Sequence, residues 1–265
     1  MSNKLVPGQA AYVTIAADLR QQIKDGRLPP GSKLPSNAVL SEDWGVSEIV
    51  TRQAISTLKS EGLIYGVKGK GSFVSERKEL TRVSPQRYGR GKPTTTWRAE
   101  ANTAGQHLDK EHNSVQTQAS EDVAQRLAIS PGDGVCETEY FFRADGVPVT
   151  WSHAWEPLEL TKGTAIEWPE SGEYGHLGIV DRFDKIGWHA HEVEEQLVIR
   201  MPEPNEANKL EIPSGVALIE IHQTFRTPER PIEAATILYP ADRYKFIYRM
   251  QIPRYQPQDE ANDQE

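Results

Sequence analysis

The sequence predicts an α+β fold in two parts: a small helical domain ending in a hairpin, then a larger body built on strands. Three observations carry this. Before residue 62, three stretches space their apolar residues three and four apart, as on one face of a helix. From about Trp97 to Met250, strand-like runs alternate with short helical segments bounded by glycine and proline. Charge divides at the same place. Residues 1–75 hold nine Lys/Arg and six Asp/Glu, a net of +3, whereas the remaining 190 hold 21 and 32, a net of −11. A mildly basic module joined to an acidic body is a hint of nucleic-acid contact.

The bulk numbers bound the rest. A chain of 265 residues fits two domains of about 100–200 residues each. With 37% hydrophobic residues and a mean hydropathy of −0.61 it can build cores and is expected to be soluble. No run approaches the roughly 18 apolar residues of a membrane span, and "MSNKLVPGQAAYV" lacks the basic start and apolar core of a signal peptide. No membrane partner and a cytoplasmic location are the expectation. The single cysteine, Cys136, can form no internal disulfide, in keeping with a reducing compartment. Its alternating neighbours mark it as a packed strand residue rather than a nucleophile.

The first helix, "AYVTIAADLRQQIKDG", sets Tyr12, Ile15, Ala16, Leu19 and Ile23 on one face and stops at Gly26. "RLPPGSKLP" is a turn-rich connector. Ser36 is positioned to cap a short helix, "NAVLSEDWG", with Val39, Leu40 and Trp44 facing inward. A glycine turn follows, and Ser47 opens "EIVTRQAISTLKSEG", in which Thr51, Ala54, Ile55 and Leu58 share a stripe that ends at Gly62. Two helices joined by a short glycine turn make a helix-turn-helix, whose second helix is the usual reader of a major groove. "LIYGVKGKGSFV" then gives two β-prone runs around a basic, glycine-rich tip, which completes a winged helix-turn-helix over residues 1–75. Lys68, Lys70 and Gly71 at that tip are placed to meet phosphates.

Residues 76–96 are charged, polar and broken by glycine and proline, as expected of an interdomain linker. In the body, 97–250, "VCETEYFFRADGVPVTWSHAW" is a hairpin turning at "ADG". "SEDVAQRLAISPGD" and "NEANKLEIPSG" are short helices that echo one another. "GVALIEIHQTFRT" and "RPIEAATILYPADRYKF" are further strands. The tail 251–265 is too polar to fold alone and is expected to be disordered.

The blocks "LPPGSKLPS", "GVSEIVTRQAISTLKSEGL" and "GKGSFV" closely resemble the GntR-type winged helix-turn-helix, in order and spacing over about 65 residues. "LAISPGD", "RADGVPV", "LEIPSG" and "ERPIEAATILYPADRYKF" resemble the UTRA effector domain of the HutC-like branch. That domain is itself similar to chorismate lyase, an antiparallel α+β sheet with a ligand cavity. The resemblance implies binding of double-stranded operator DNA as a homodimer, with contacts from the effector domains and control by a small molecule. Arg52 matches the family's arginine, and DNA contacts are expected at Ser36, Ser47, Glu48, Ile49, Arg52, Gln53, Lys68, Lys70 and Gly71.

Two positions depart from the family pattern. The acidic–basic pair after Leu-Pro-Ser is Asn37-Ala38 here, and the donor after Gly-Val-Ser is Glu48. Glu48 lies four residues before Arg52, the spacing of an intrahelical ion pair. It either orients Arg52, or accepts from a cytosine amino group while Arg52 takes a guanine edge.

In sugar-phosphate-sensing relatives, arginines stand where this chain has Tyr140 and Phe142. Arg143 is one residue out of register and points to the opposite face. The resemblance also places Ser152, Glu233 and Tyr239 at the ligand cavity. A pocket with aromatics for arginines suits an effector that is not strongly anionic, aromatic or amphipathic in character.

No Gly-x-Ser-x-Gly, phosphate loop, dinucleotide fingerprint or zincin motif occurs, so no cofactor is expected. His189 and His191 in "WHAHEVEE", with His153 and Glu192, form only a weak metal pattern, and none is expected to bind. The rival to a repressor is a chorismate-lyase-like enzyme with an accessory DNA-binding module, but no acid–base pair supports it. An effector-independent DNA-binding protein is the third reading.

Overall fold

In the computed structural model, residues 8–67, 69–75, 79–84, 86–91 and 96–252 are described. Lys68 and the tail after residue 252 lie outside them.

The N-terminal domain follows the apolar stripes. Helix α1 (Ala11–Lys24) buries Ile15, Ala16 and Leu19, and the chain turns away through Gly26 at φ +77°. Helix α2 (Asn37–Trp44) starts at Ser36, whose Oγ accepts from the Val39 amide at 3.3 Å, and ends at Gly45 in the left-handed region. Leu40 and Trp44 are buried as the spacing predicts, but Val39 is exposed. The capping turn holds Val39 at the helix start, pointing away from the core. Helix α3 (Glu48–Ser60) buries Thr51, Ala54, Ile55 and Leu58. These residues meet in one core with Ile64 and Val74 of the strands β1 (Ile64–Val67) and β2 (Gly71–Val74). Each fully buried Ile or Leu contributes roughly 1.5–3 kcal/mol, which holds α1 against α3. β1 and β2 pair antiparallel and form the wing.

The stretch expected to be a linker contributes structure of its own. Strand β3 (Leu80–Ser84) pairs in parallel with a strand 164 residues later, Leu80 opposite Tyr244, and a 3-10 turn covers Gln86–Tyr88. After it come α4 (Thr96–Thr103), β4 (Leu108–Gln118), α5 (Glu121–Leu127), β5 (Gly134–Ala144), β6 (Val147–Pro157), α6 (Leu158–Thr161), α7 (Ile179–Asp184), β7 (Glu192–Arg200), α8 (Pro204–Lys209), β8 (Leu218–Arg226), β9 (Pro231–Pro240) and β10 (Tyr244–Tyr248). Six of these strands form one antiparallel sheet in the order β4-β5-β6-β9-β8-β7. The predicted "ADG" turn joins β5 to β6 through Asp145 (φ +49°) and Gly146 (φ +79°). Such a pair of left-handed residues matches the twist of a two-residue hairpin.

The sheet has two covered faces. On the back, α5 buries Val123 and Leu127 against Val135 and Ala234, and Leu210 and Ile212 after α8 pack on Phe141 and Leu238. Helices α5 and α8 are the two echoing segments, each leaving its helix through a left-handed residue, Ala128 and Glu211. Cys136 is fully buried in β5, and burial raises its thiol to about 11. The front face is covered by β3 with β10, α4, and the segment running up to α7. Between that cover and the sheet lies a cavity.

Candidate DNA-contacting surface and effector cavity

On the N-terminal domain, packing divides α3 into an inner and an outer side. Thr51 faces inward and donates to the carbonyls of Glu48 (3.0 Å) and Asn37 (3.2 Å), which ties α2 to α3. The outer side carries Glu48, Ile49, Arg52 and Gln53, all exposed, with Ile49 at 73% of its full area. Val50 instead packs against the core. Arg52 donates to Glu48 Oε2 at 2.8 Å, so the intrahelical pair is formed in the absence of DNA.

Ser36 and Ser47 are both exposed at helix N-termini, but only Ser36 caps through its side chain. Ser47 therefore keeps its hydroxyl available beside the first turn of α3. Lys70 and Gly71 are exposed at the wing, where Gly71 has φ +112°. A β-carbon there would stand 3.1 Å from Lys33 Cε, so the glycine lets Lys33 lie against the wing. Lys68, the other cation read from the sequence, lies outside the described residues.

The cavity has a volume of about 230 Å³. Alternation along four strands builds its floor: Tyr140 and Phe142 from β5, Ser152, Ala154 and Glu156 from β6, Glu233, Ala235 and Ile237 from β9, Gln223 and Phe225 from β8. Arg87, Tyr88 and Trp97 from the region after β3 close one side, and residues 176–182 close the other. Of the residues read from sequence, Tyr140, Phe142, Ser152 and Glu233 line it. Tyr239 does not. It shares the face of Glu233 but lies further along β9, covered by Trp97, Tyr244 and Phe246 at centroid distances of 5.8, 4.6 and 5.2 Å. Arg143 sits on the other face over the Phe141 ring, 4.8 Å from its centroid.

Sequence reasoning missed Glu156, Arg182, Gln223, Arg87, Tyr88 and Trp97. Glu156 was reachable, because it follows Ser152 by four residues on the same strand face. Arg182 on α7 is buried and ion-paired with Glu156. Burial nevertheless pushes Glu156 above the usual carboxylate range, outweighing Arg182. Glu233 is pushed up to about 8 by burial and then by Glu156, with Arg182 and Arg126 pulling the other way. Tyr140 is likewise raised by burial.

Behind the cavity, Arg82 of β3 is buried and ion-paired with Glu195 of β7. Tyr88 donates to the same carboxylate, and Gln223 does so at 2.8 Å. Burial works to raise Glu195, but these donors hold it below its ordinary value. His153 bonds Glu137 at 2.8 Å and His189 bonds Asp184 at 2.7 Å, so the two histidines are held on separate elements.

Comparison with known proteins now decides the family. The gntR family of bacterial regulatory proteins matches residues 11–74, and the UTRA domain matches residues 105–245. The chain belongs to the GntR family, in its UTRA-containing branch. It is similar to the transcriptional repressor NagR of Bacillus subtilis, with 28% identity over 240 residues, covering 90% of this chain and 94% of that one. It is also similar to a solved GntR-family transcriptional regulator, with 36% identity and a TM-score of 0.67, covering 92% and 99% of the two chains. PhnF from Mycobacterium smegmatis shares the fold at 20% identity and a TM-score of 0.55, covering 90% and 100%.

This GntR-family chain is therefore a DNA-binding transcriptional regulator and not an enzyme, with a UTRA domain of the class that binds small-molecule effectors. Among the described residues, no helix is long and apolar enough to cross a membrane.

Proposed function

We propose that this GntR-family regulator is a cytoplasmic, homodimeric repressor that reads an inverted-repeat operator and releases it when a small molecule enters the UTRA cavity. The outer side of α3 enters the major groove with Ile49, Arg52 and Gln53, while Ser36, Ser47, Lys70 and Lys68 hold the backbone on either side. Glu48 keeps Arg52 extended across the helix surface.

The observation that carries the ligand-responsive part is the origin of the cavity wall. Arg87, Tyr88 and Trp97 belong to the chain immediately after the wing, with β3 starting six residues beyond Val74. A ligand touching these residues acts directly on the segment that carries the DNA-binding domain. It shifts the arrangement of the two heads only through its difference in affinity for the two states.

Edge strand β7 supports a dimer through the effector domains. Its outer edge has no strand partner among the described residues, and it exposes Leu197, Val198 and Ile199. An unpaired apolar edge is a ready surface for a second copy.

The test is a footprint across the DNA upstream of the protein's own gene, with Glu48→Arg alongside. A discrete protected palindrome, altered in the variant, is the expected result. Uniform protection that ignores sequence would overturn the operator reading.

A further inference from the structure

The ion pairs that line the cavity leave one carboxyl group over. Arg182 is ion-paired with Glu156, Arg87 with Glu100 and Lys110 with Glu170, so each lining Arg or Lys already has a carboxylate. Asp181, at the rim, accepts from the Gly91 amide at 2.9 Å. Glu233 is the surplus. It is 8% exposed, lines the cavity, and its Oε2 has no hydrogen-bond partner among the described residues. Glu156 also keeps Oε2 unpartnered. A buried acceptor left without a donor costs about 1–3 kcal/mol, which a ligand that brings the donor recovers.

The surroundings of Glu233 select the sign of that ligand. Trp97 stacks on Phe142 with centroids 4.5 Å apart, and Tyr140 stacks on Phe142 at 6.2 Å. Aromatic faces carry negative potential and attract cations. An anion entering here would meet two carboxyl groups and a wall of ring faces, with every lining arginine engaged elsewhere.

Resting on the effector reading above, we propose that the cavity binds a compact organic cation bearing N–H donors, a protonated amine or amidine on an apolar or aromatic body. Glu233 is its counter-ion, and the Trp97–Phe142–Tyr140 wall packs against its body.

A second consequence follows from the protonation of Glu233. The groups around it are Glu156 on β6, Arg182 on α7, Tyr140 on β5 and Gln223 on β8, with Arg126 of α5 acting from behind the sheet; Arg87, Tyr88, Lys110, Glu170, His176 and Asp181 line the same cavity. Because Glu233 titrates near 8, it holds a proton at neutral pH when the cavity is empty. A bound cation expels that proton.

The experiment is calorimetry on the full chain at pH 7, in two buffers of different ionisation enthalpy, with the change in tryptophan fluorescence that is lost in Trp97→Phe as a second signal. The probes are 2-phenylethylamine and benzamidine, the neutral 2-phenylethanol, and the anions 3-phenylpropionate and glucose 6-phosphate. At least one cation is expected to bind tenfold or more tightly than the neutral probe and release close to one proton. Glu233→Gln should abolish the preference and the proton release. If that variant does not fold, as judged by circular dichroism, proton release by the unaltered protein decides. Tighter binding of either anion overturns the cation inference and leaves the effector reading standing. Equal cation binding by Glu233→Gln also overturns it. Silence from all five probes overturns the inference and removes support for the effector cavity as well.

Discussion

Gly215 lies so close to the end of α3 that a β-carbon on it would stand 2.8 Å from the Ser60 carbonyl oxygen. Ser60 is the last residue of α3, and Gly215, at φ +89°, sits in the loop between α8 and β8. Its neighbour Val216 packs in the same cluster as Phe141 and Leu238 on the back of the sheet. The end of α3 and the loop before β8 therefore approach closely, and there is room for that approach because residue 215 has no side chain.

Gly215→Ala breaks this contact twice over. The left-handed conformation costs a non-glycine residue about 1–2 kcal/mol, and the new carbon collides with a carbonyl that is fixed in α3. The expected result is a melting temperature lower by a few degrees, together with a ligand response of operator binding weakened several-fold. Fluorescence anisotropy with and without ligand measures the second. A response equal to that of the unaltered protein would mean that the contact transmits nothing.

Glu48 and Arg52 are both more than one-third exposed, so their ion pair adds only about 0.2–0.5 kcal/mol to stability. Glu48→Gln should leave thermal melting almost unchanged and tighten non-specific DNA binding, because one like charge facing the phosphates is gone. Arg52→Ala should cost about 1–3 kcal/mol of operator affinity if the guanidinium takes a guanine edge. Competition titrations with operator and random duplex separate the two. Equal losses on both duplexes would reduce Arg52 to a phosphate contact, and the salt slope would then fall by about 0.9.

The N-terminal domain was legible because its signals are local: stripes of three and four, caps at Ser36, glycine stops at Gly26 and Gly62. The β5–β6 hairpin was legible for the same reason, through its turn and its alternation. What escaped the sequence depends on distant pairing. Strand β3 meets β10 in parallel, Leu80 opposite Tyr244, and no local pattern records a partner so far along the chain. Arg82 hid the strand further, since a fully buried arginine in a charged run resembles a solvated linker. The cavity wall formed by Arg87, Tyr88 and Trp97 was lost with it. Tyr239, which the resemblance placed at the cavity, lies outside its lining because it sits further along β9 under Trp97, Tyr244 and Phe246.

Arg82 is a strong test of that hidden strand. Its guanidinium is buried against Glu195, and Arg82→Met would strand a carboxylate in the interior. Breaking a buried pair costs about 3–5 kcal/mol, and in a domain of this size each kcal/mol lowers Tm by about 2–4 °C. A drop of roughly 6 °C or more in a calorimetric scan is expected. No drop would mean that β3 contributes nothing to the stability of the body.

Ile199 is 73% exposed on edge strand β7, beside half-exposed Leu197 and Val198. Ile199→Asp places a charge where a second copy is proposed to pair, at no cost to the isolated subunit. Sedimentation should show a shift from dimer to monomer, and operator affinity should fall by tenfold or more as the two half-sites uncouple. A dimer that survives this change uses another surface.

The pH dependence of stability should carry two opposing signatures. Glu233 has its folded pKa raised, to about 8. Its contribution is therefore fully present below the unfolded value near 4.3 and is lost as pH rises towards 8, by up to about 1.4 kcal/mol per pH unit. Glu195 is shifted the other way by Arg82 and Tyr88. Its contribution is present above the unfolded value and is lost as pH falls through the depressed folded value. The two together give a stability maximum on the acid side of neutrality, flanked by separate losses. Melting curves from pH 2 to 9 should show the loss above the unfolded carboxylate value flattened in Glu233→Gln and the acid loss retained. If the alkaline limb has the same slope in both proteins, Glu233 is ionised in the folded chain, and its carboxylate must already have a partner.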